Sequence, residues 1–141
     1  MIMGLVYADI ELINIEDEFR ANAKLISAPE IRRINAKMNV DSGAYMMCIN
    51  ESAQIQLGLK TLRKQSAILA NGDVVVMDVV GPIRVNFENR TCTVDAYVLP
   101  GTNEMLLGAI PMEYMDVLIH PKQNKLIVNP EHPTMPQLAI K

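Results

Sequence analysis

The most informative segment of the 141-residue chain is Val40-Asp41-Ser42-Gly43-Ala44, which follows a stretch with apolar residues at every second position. That stretch, residues 31–40, predicts a strand, because alternate side chains of a strand point to the same face. Gly43 permits a tight turn directly after the strand, and the backbone N–H groups of such a turn can hold a carboxylate. The segment therefore predicts a rigid, partly desolvated Asp41 at the end of a buried strand.

Strand signals dominate the rest of the chain. A short helix is predicted over residues 50–59, with Asn50 or Ser52 at its start and Gly58 at its end. Asn71-Gly72 is the strongest two-residue hairpin signal in the sequence. Residues 14–22 read as a connecting segment or a short helical turn, and residues 111–115 as a second short helix. The remaining strands are expected at residues 6–13, 66–70, 73–80, 83–87, 91–99, 105–107, 117–119 and 126–128.

These signals predict one all-β domain over residues 1–141 with one or two short helices. Half of the residues are apolar, which is enough for a core and too many for a disordered chain. The tail, residues 129–141, is rich in proline and is expected to be extended or mobile.

Composition and charge argue against several classes of partner. The net charge is −3 and no basic block is present, so nucleic acid is not expected as a partner. No stretch approaches the roughly 20 consecutive apolar residues of a membrane helix, and no signal-peptide pattern is visible. A cytoplasmic location with reduced Cys48 and Cys92 is therefore expected. These cysteines, His120 and His132 are dispersed without paired ligand spacing, so neither a metal nor another cofactor is expected.

A second motif gives the Asp41 turn a context. Leu106-Leu107-Gly108 ends 67 residues after Asp41, and the Asn71-Gly72 hairpin lies between the two. This order resembles the retropepsin-like aspartic proteases, in which a hydrophobic residue, Asp, Ser or Thr, and Gly form the catalytic turn. In that family two hydrophobic residues and a Gly pack behind the turn, and a flap hairpin covers it. The resemblance spans about residues 31–128 and implies a closed β-barrel subunit.

The resemblance also implies a mechanism that needs two chains. Only one Asp-Ser-Gly occurs in the sequence, whereas the family's reaction uses two carboxylates. The second is expected from a symmetric copy, so that two Asp41 side chains share a proton and activate a water. The expected function is thus a homodimeric aspartic endopeptidase that hydrolyses peptides or proteins.

Individual roles follow from the same resemblance. Asp41, Ser42 and Gly43 form the catalytic turn. Ser42 is expected to reach the partner's turn, and the Gly43 N–H to support the Asp41 carboxylate. The residues expected to contact substrate are Ala44, through its carbonyl, the flap residues Asn71, Gly72 and Asp73, and Leu106 in the cleft. Leu107 and Gly108 are expected to support the site from behind.

Two departures from the family pattern keep another function open. Tyr45, Met46 and Met47 follow Ala44, where retroviral members often carry Asp, and Ala109 stands where they commonly have Arg. The alternative is a catalytically silent dimer of the same fold that binds peptides or partner proteins. A further alternative is an unrelated β-barrel or sandwich, since an isolated Asp-Ser-Gly is most often an ordinary turn.

Overall fold

The computed structural model describes residues 5–140, which form nine strands, three α-helices and one 3₁₀ helix. No helix within this range is long and apolar enough to span a membrane. In chain order the elements are β1 (Tyr7–Asn14), α1 (Ile15–Asn22), the 3₁₀ helix (Ala28–Glu30), β2 (Arg33–Val40), β3 (Met47–Asn50), α2 (Glu51–Leu57), β4 (Thr61–Ile68), β5 (Val74–Phe87), β6 (Arg90–Leu99), β7 (Leu106–Leu107), α3 (Ala109–Met115), β8 (Val117–His120) and β9 (Lys125–Val128).

The main sheet closes on itself. Its strands are hydrogen-bonded in the order β1-β2-β7-β3-β6-β5-β4, and β1 also pairs with β5. Six strands therefore form a ring, and β4 extends the sheet beyond β5. The pairs β2–β7 and β3–β6 are parallel, and the other pairs are antiparallel. The all-β prediction is confirmed, and β8 and β9 form a separate hairpin.

The core is made of aliphatic and methionine side chains, because the chain has no Trp and only two Phe. Ala36, Met38 and Val40 of β2 are buried and Ile34 is partly buried, which is the alternation that predicted this strand. Burial of these apolar surfaces supplies the main driving force for folding. Fully buried residues come from six different strands and include Ile10, Met38, Ile49, Ile83, Ala96 and Leu107.

Several elements differ from the sequence-based expectation. The strand β3 was not predicted, and β4 begins at Thr61, five residues earlier than expected. The expected break at Gly81-Pro82 is instead a register shift between Val80 and Ile83 within one 14-residue strand, β5. The two predicted short helices are present as α2 and α3. Asn50 caps the start of α2 and Gly58 ends it in the left-handed conformation, as predicted.

A third helix, α1, occupies the segment that was read as a connection or a helical turn. The Asn14 side chain accepts a hydrogen bond from Asp17 N at 3.1 Å and donates to Leu57 O at 2.8 Å. It thereby caps α1 and ties that helix to the end of α2. Asp17 is 2% exposed and accepts hydrogen bonds from Arg32 N, Nε and Nη2 at 3.0, 2.8 and 3.0 Å.

The buried carboxylate of Asp17 is expected to stabilise the fold in a pH-dependent way. The hydrogen bonds from Arg32 hold its pKa below the ordinary value despite burial. We expect Asp17→Asn to lower the free energy of unfolding by about 2–3 kcal/mol at pH 7. Because the folded-state pKa is lowered, this contribution is complete above the unfolded-state pKa. It declines as the pH falls below about 4 and through the folded-state pKa.

Urea unfolding of both proteins across this pH range measures the effect. The matched control is Glu16→Gln on the same helix. Glu16 forms exposed ion pairs with Arg20 and Lys60 and should contribute less than about 1 kcal/mol. Equal destabilisation by the two substitutions at pH 7 would refute the role of the Asp17–Arg32 pair.

The tail beyond β9 has no regular structure, but side chains tie it to the barrel. Asp116 interacts with Asn129 Nδ2 at 3.1 Å, with His132 Nδ1 at 2.7 Å and with Gln137 N at 3.0 Å. These contacts, the bond from Asn129 foremost, hold the pKa of Asp116 below its usual range. The buried Arg90 side chain also donates to the His132 carbonyl. The tail forms turns and bends over residues 130–135 and is attached at several points.

Candidate active site

The end of β2 places Asp41 against β7. Asn39 and Val40 lie opposite Leu106 and Leu107 in the parallel β2–β7 pair. Asp41 N donates to Leu107 O at 2.9 Å, so the hydrogen bonding continues one residue past the strand. The position of the Asp41 backbone is thus set by the second sequence motif.

The turn that follows holds one oxygen of the carboxylate. Gly43 N donates to Asp41 Oδ1 at 2.9 Å, and Ala44 N donates to Asp41 O at 3.1 Å. A Cβ on residue 43 would lie 3.1 Å from Oδ1, so the absence of a side chain permits this approach. Within residues 5–140, Asp41 Oδ2 accepts no hydrogen bond. Asp41 is half-buried and Ser42 is exposed, so the second oxygen is left for a group from outside the turn.

The second motif packs directly behind this turn. A Cβ on Gly108 would lie 2.2 Å from Met46 O and 2.8 Å from Ala44 O, so only glycine fits there. Ala109 N donates to Ala44 O at 2.8 Å, and Ile110 N donates to Tyr45 O at 2.9 Å. The turn and the start of α3 are therefore joined by backbone hydrogen bonds. One lone pair of the Ala44 carbonyl, expected to bind substrate, is already engaged within the chain.

The expected flap residues lie together at the tip of the β4–β5 hairpin. Leu69 N donates to Asp73 O at 2.8 Å, and Gly72 has a φ of 90°. Asn71, Gly72 and Asp73 are all exposed. No hydrogen bond or ion pair joins this tip to the Asp41 turn within residues 5–140. The structure thus brings the two motifs together and leaves the hairpin tip free of polar contact with them.

The closed barrel, with Gly108 packed behind the Asp41 turn, has counterparts among known proteins. The model of the family described as "gag-polyprotein putative aspartyl protease" matches residues 29–113. The chain belongs to this retropepsin-like aspartic protease family. No curated protein matches the sequence.

The solved structures that are similar to this chain include a protease-like domain and a protease. One is the retroviral protease-like domain of Ddi1 from Leishmania major, with a TM-score of 0.50 and 18% identity. That match covers 69% of this chain and 81% of the other. The second is the simian foamy virus (mac) protease, with a TM-score of 0.42 and 18% identity, covering 55% of this chain and 80% of the other. At such identities the likeness concerns the fold alone.

The retropepsin-like site contains a thiol that the sequence did not single out. Cys48 lies opposite Leu106 where β3 meets β7. Burial raises the pKa of the Cys48 thiol, and the negative charge of Asp41 raises it further. Burial alone raises the pKa of Cys92, on β6, to about 12. Cys48 alternates with the buried Met47 and Ile49 in β3, but the continuous apolar run of residues 45–49 hides this alternation in the sequence.

Both thiols are expected to react slowly with alkylating reagents, because the thiolate is the nucleophile. At pH 8 we expect iodoacetamide to modify Cys92 about 100-fold or more slowly in the folded protein than in urea. Asp41→Asn removes the charge near Cys48 and should accelerate its alkylation while leaving Cys92 unchanged. Mass spectrometry of the two cysteine peptides measures both rates. A parallel change at Cys48 and Cys92 would instead indicate general loosening of the fold.

Two surface depressions meet beside Ser42. One, of about 270 Å³, is lined by residues that include Leu5, Asp41 and Ile119. The other, of about 320 Å³, is lined by residues that include Ala109, Leu118 and Ile119. Ile119 and Ser42 line both, so the β8–β9 hairpin lies next to the Asp41 turn. The sequence predicted the β8–β9 hairpin. No motif spacing indicated that this hairpin lies beside Ser42.

The described part of the chain holds no cluster of three or more His, Cys, Asp or Glu side chains suited to a metal. His132 pairs with Asp116, and His120 Nδ1 accepts hydrogen bonds from the backbone of Lys122 and Gln123. Asp41 therefore remains the principal candidate for chemistry at this site.

Proposed function

We propose that the chain is an aspartic endopeptidase that acts as a homodimer and hydrolyses peptide bonds through water activated by two Asp41 carboxylates. The observation that carries the proposal is the geometry of Asp41. Its Oδ1 accepts from Gly43 N, its N–H donates to Leu107 O, and its Oδ2 accepts no hydrogen bond within residues 5–140. Membership of the retropepsin-like family supports the same chemistry.

The need for two chains follows from the reaction. One carboxylate must remove a proton from water while a second, protonated one donates to the scissile carbonyl oxygen. The sequence has a single Asp-Ser-Gly, so a second copy would supply the other Asp41 across a two-fold axis. Two carboxylates held close together cannot both ionise, so one proton would be shared between them.

The proposed reaction cycle accounts for every proton and bond without a metal or a covalent intermediate. The ionised Asp41 takes a proton as the water oxygen attacks the carbonyl carbon, while the protonated Asp41 gives its proton to the carbonyl oxygen. The tetrahedral diol then collapses, the C–N bond breaks, and a carboxyl proton passes to the leaving amine. The carboxylate pair regains its shared proton from the diol hydroxyl.

The surroundings of Asp41 fit an extended peptide as substrate. Leu106 is partly buried beside Asn39 and Cys48 at the edge of the turn. All but one residue of β4 are exposed, so the β4–β5 hairpin projects from the barrel and is available to close over a bound chain. Ser42 is exposed and could hydrogen-bond to the turn of the partner.

The test is incubation of the purified protein with a mixed peptide library, with and without a statine-type transition-state mimic. Cleavage within extended segments, blocked by the mimic at one molecule per two chains, is the expected result. Peptides bound but not cut would indicate the silent binding dimer. Cleavage by a protein that sediments as a monomer would rule out the two-chain mechanism.

A further inference from the structure

The Glu104 carboxylate lies near the Asp41 turn. Val40 is buried, so the side chains of Asn39 and Asp41 both project to the opposite face of the sheet, about 7 Å apart along the chain. Both residues line the depression of about 270 Å³ beside Ser42. The Asn39 side chain donates to Glu104 Oε2 at 3.3 Å. Glu104 therefore places an acidic group next to the surface that contains Asp41.

Within residues 5–140 the Glu104 carboxylate is held by neutral groups. Asn39 is one of them, and the hydroxyl of Tyr7 is the other, since hydrogen bonding to Glu104 raises the pKa of Tyr7 above its ordinary value. The Lys37 ammonium instead lies over the Tyr7 ring, 5.2 Å from its centroid. In the described part of the chain no Lys, Arg or His side chain forms an ion pair with Glu104. The exposed carboxylate thus keeps acceptor sites for a cation from another molecule.

The backbone around Glu104 is fixed on both sides. Asn39 N donates to Met105 O at 2.9 Å, and the Asn50 side chain donates to Asn103 O at 2.8 Å. These bonds tie the residue after Glu104 to β2 and the residue before it to the start of α2. The carboxylate is therefore exposed and yet positioned, as a group that selects among substrates must be.

Leu106 adds an apolar surface next to this carboxylate. It lies opposite Asn39 in the β2–β7 pair and follows Glu104 by two residues. Because Leu107 is buried, the Leu106 side chain projects to the same face of the sheet as Asn39. A substrate side chain that reaches this part of the surface meets an aliphatic group and a carboxylate side by side. Lysine and arginine have the matching form, an aliphatic stem with a cationic end.

We propose that Glu104, positioned by Asn39, selects substrates that carry lysine or arginine next to the scissile bond. The stem of the substrate side chain packs against Leu106, and its cationic end donates to the Glu104 carboxylate. An acidic side chain at this position is repelled, and an apolar one leaves Glu104 without a partner once the β4–β5 hairpin has closed. The inference rests on the proposed endopeptidase function and names its class of substrate.

The two-fold symmetry of the proposed dimer doubles this feature. Each copy has its own Glu104 near its own Asp41, so one such carboxylate lies on either side of the scissile bond. A basic residue on one side of the bond pairs with one carboxylate, and a basic residue on each side pairs with both. We therefore expect peptides with a basic residue on each side to be cleaved fastest.

Peptides that differ only beside the cleaved bond test this selection. A peptide library first locates the cleaved bond, and matched peptides then carry lysine, norleucine or glutamate next to it. We expect the wild-type protein to cleave the lysine peptide with a kcat/KM at least about tenfold above that of the norleucine peptide. Glu104→Gln keeps the shape of the side chain without its charge and should bring the two values together. Glu131→Gln, at an exposed position in the tail, should retain the wild-type ratio.

Reversal of the charge separates recognition from a structural effect. Glu104→Lys should prefer the glutamate peptide over the lysine peptide, which a loss of packing alone would not produce. The wild-type preference should also weaken as the salt concentration rises from about 0.05 M to about 0.5 M, since screening reduces the attraction between exposed charges. A Glu104→Lys variant that still prefers the lysine peptide overturns the inference.

Binding without cleavage distinguishes the inference from the proposed function. The affinity of Asp41→Asn for the labelled lysine and norleucine peptides is measured by fluorescence anisotropy, and we expect the lysine peptide to bind more tightly. Cleavage of all three peptides at equal rates by the wild-type protein overturns the inference and leaves the proposed function standing. Preferential binding of the lysine peptide, with no cleavage by the wild-type protein, supports recognition through Glu104 and overturns the proposed function.

Discussion

Asp41→Asn is expected to lower kcat for peptide cleavage by about 10³-fold or more, because an amide can neither take a proton from water nor share one with a second carboxylate. The fold should be retained. Asn has nearly the same shape as Asp, and its side-chain oxygen can still accept the hydrogen bond from Gly43 N. Initial cleavage rates and thermal unfolding of the variant measure the two effects.

The matched control is Asp9→Asn, the same change at an exposed position of β1, which should leave the cleavage rate and the thermal stability unchanged.

Mixing of wild-type and variant chains provides a sharper test of the two-chain mechanism. When subunits exchange freely, a threefold excess of Asp41→Asn should reduce the activity of the wild-type chains to about one quarter, since mixed dimers lack one carboxylate. An unchanged rate would mean that one chain suffices.

Gly108→Ala is expected to destabilise the protein by about 3 kcal/mol, at the upper end of overpacking effects. The new methyl group would lie 2.2 Å from Met46 O and 2.8 Å from Ala44 O. Both are backbone atoms, so neither can rotate out of the way. Relief requires the Asp41 turn or α3 to move, and a displacement of about 1 Å at a catalytic group can cost roughly 100-fold in rate.

Urea unfolding and cleavage rates of Gly108→Ala measure these two consequences. Gly101→Ala is the comparison, since nothing lies within 4 Å of the added methyl group and only a φ of 57° opposes it. Gly101→Ala should lower the free energy of unfolding by about 1 kcal/mol and leave the cleavage rate unchanged. Equal destabilisation by the two changes would show that the turn yields to Gly108→Ala more easily than the contact distances indicate.

The Asp41 turn and the packing of Gly108 behind it were predictable because both follow from local patterns. When an aspartate follows an alternating strand and precedes Ser-Gly, its carboxylate lies in a tight turn at the end of that strand wherever the strand is buried. Gly108 was likewise marked by two preceding hydrophobic residues. By contrast, β3 was missed because Tyr45-Met46-Met47-Cys48-Ile49 is a continuous apolar run, which does not reveal a period of two.

Other features depend on contacts between distant parts of the chain. The segment of α1 is rich in charge, and the carboxylate that anchors it is buried by Arg32, fifteen residues later. The neighbours Cys48 and Ile119 reach the Asp41 turn only because β3 and the β8–β9 hairpin fold against it. No spacing of residue types encodes such proximity, so the sequence alone could not identify them.

Closure of the ring leaves β4 as the terminal strand of the main sheet in the described part of the chain. Arg63 and Lys64 on this strand have well-exposed side chains, which form ion pairs with Asp95 and Asp78. Positive charges on an edge strand oppose its edge-to-edge pairing with a strand of another molecule. We therefore expect these charges to oppose polymerisation through the β4–β5 hairpin.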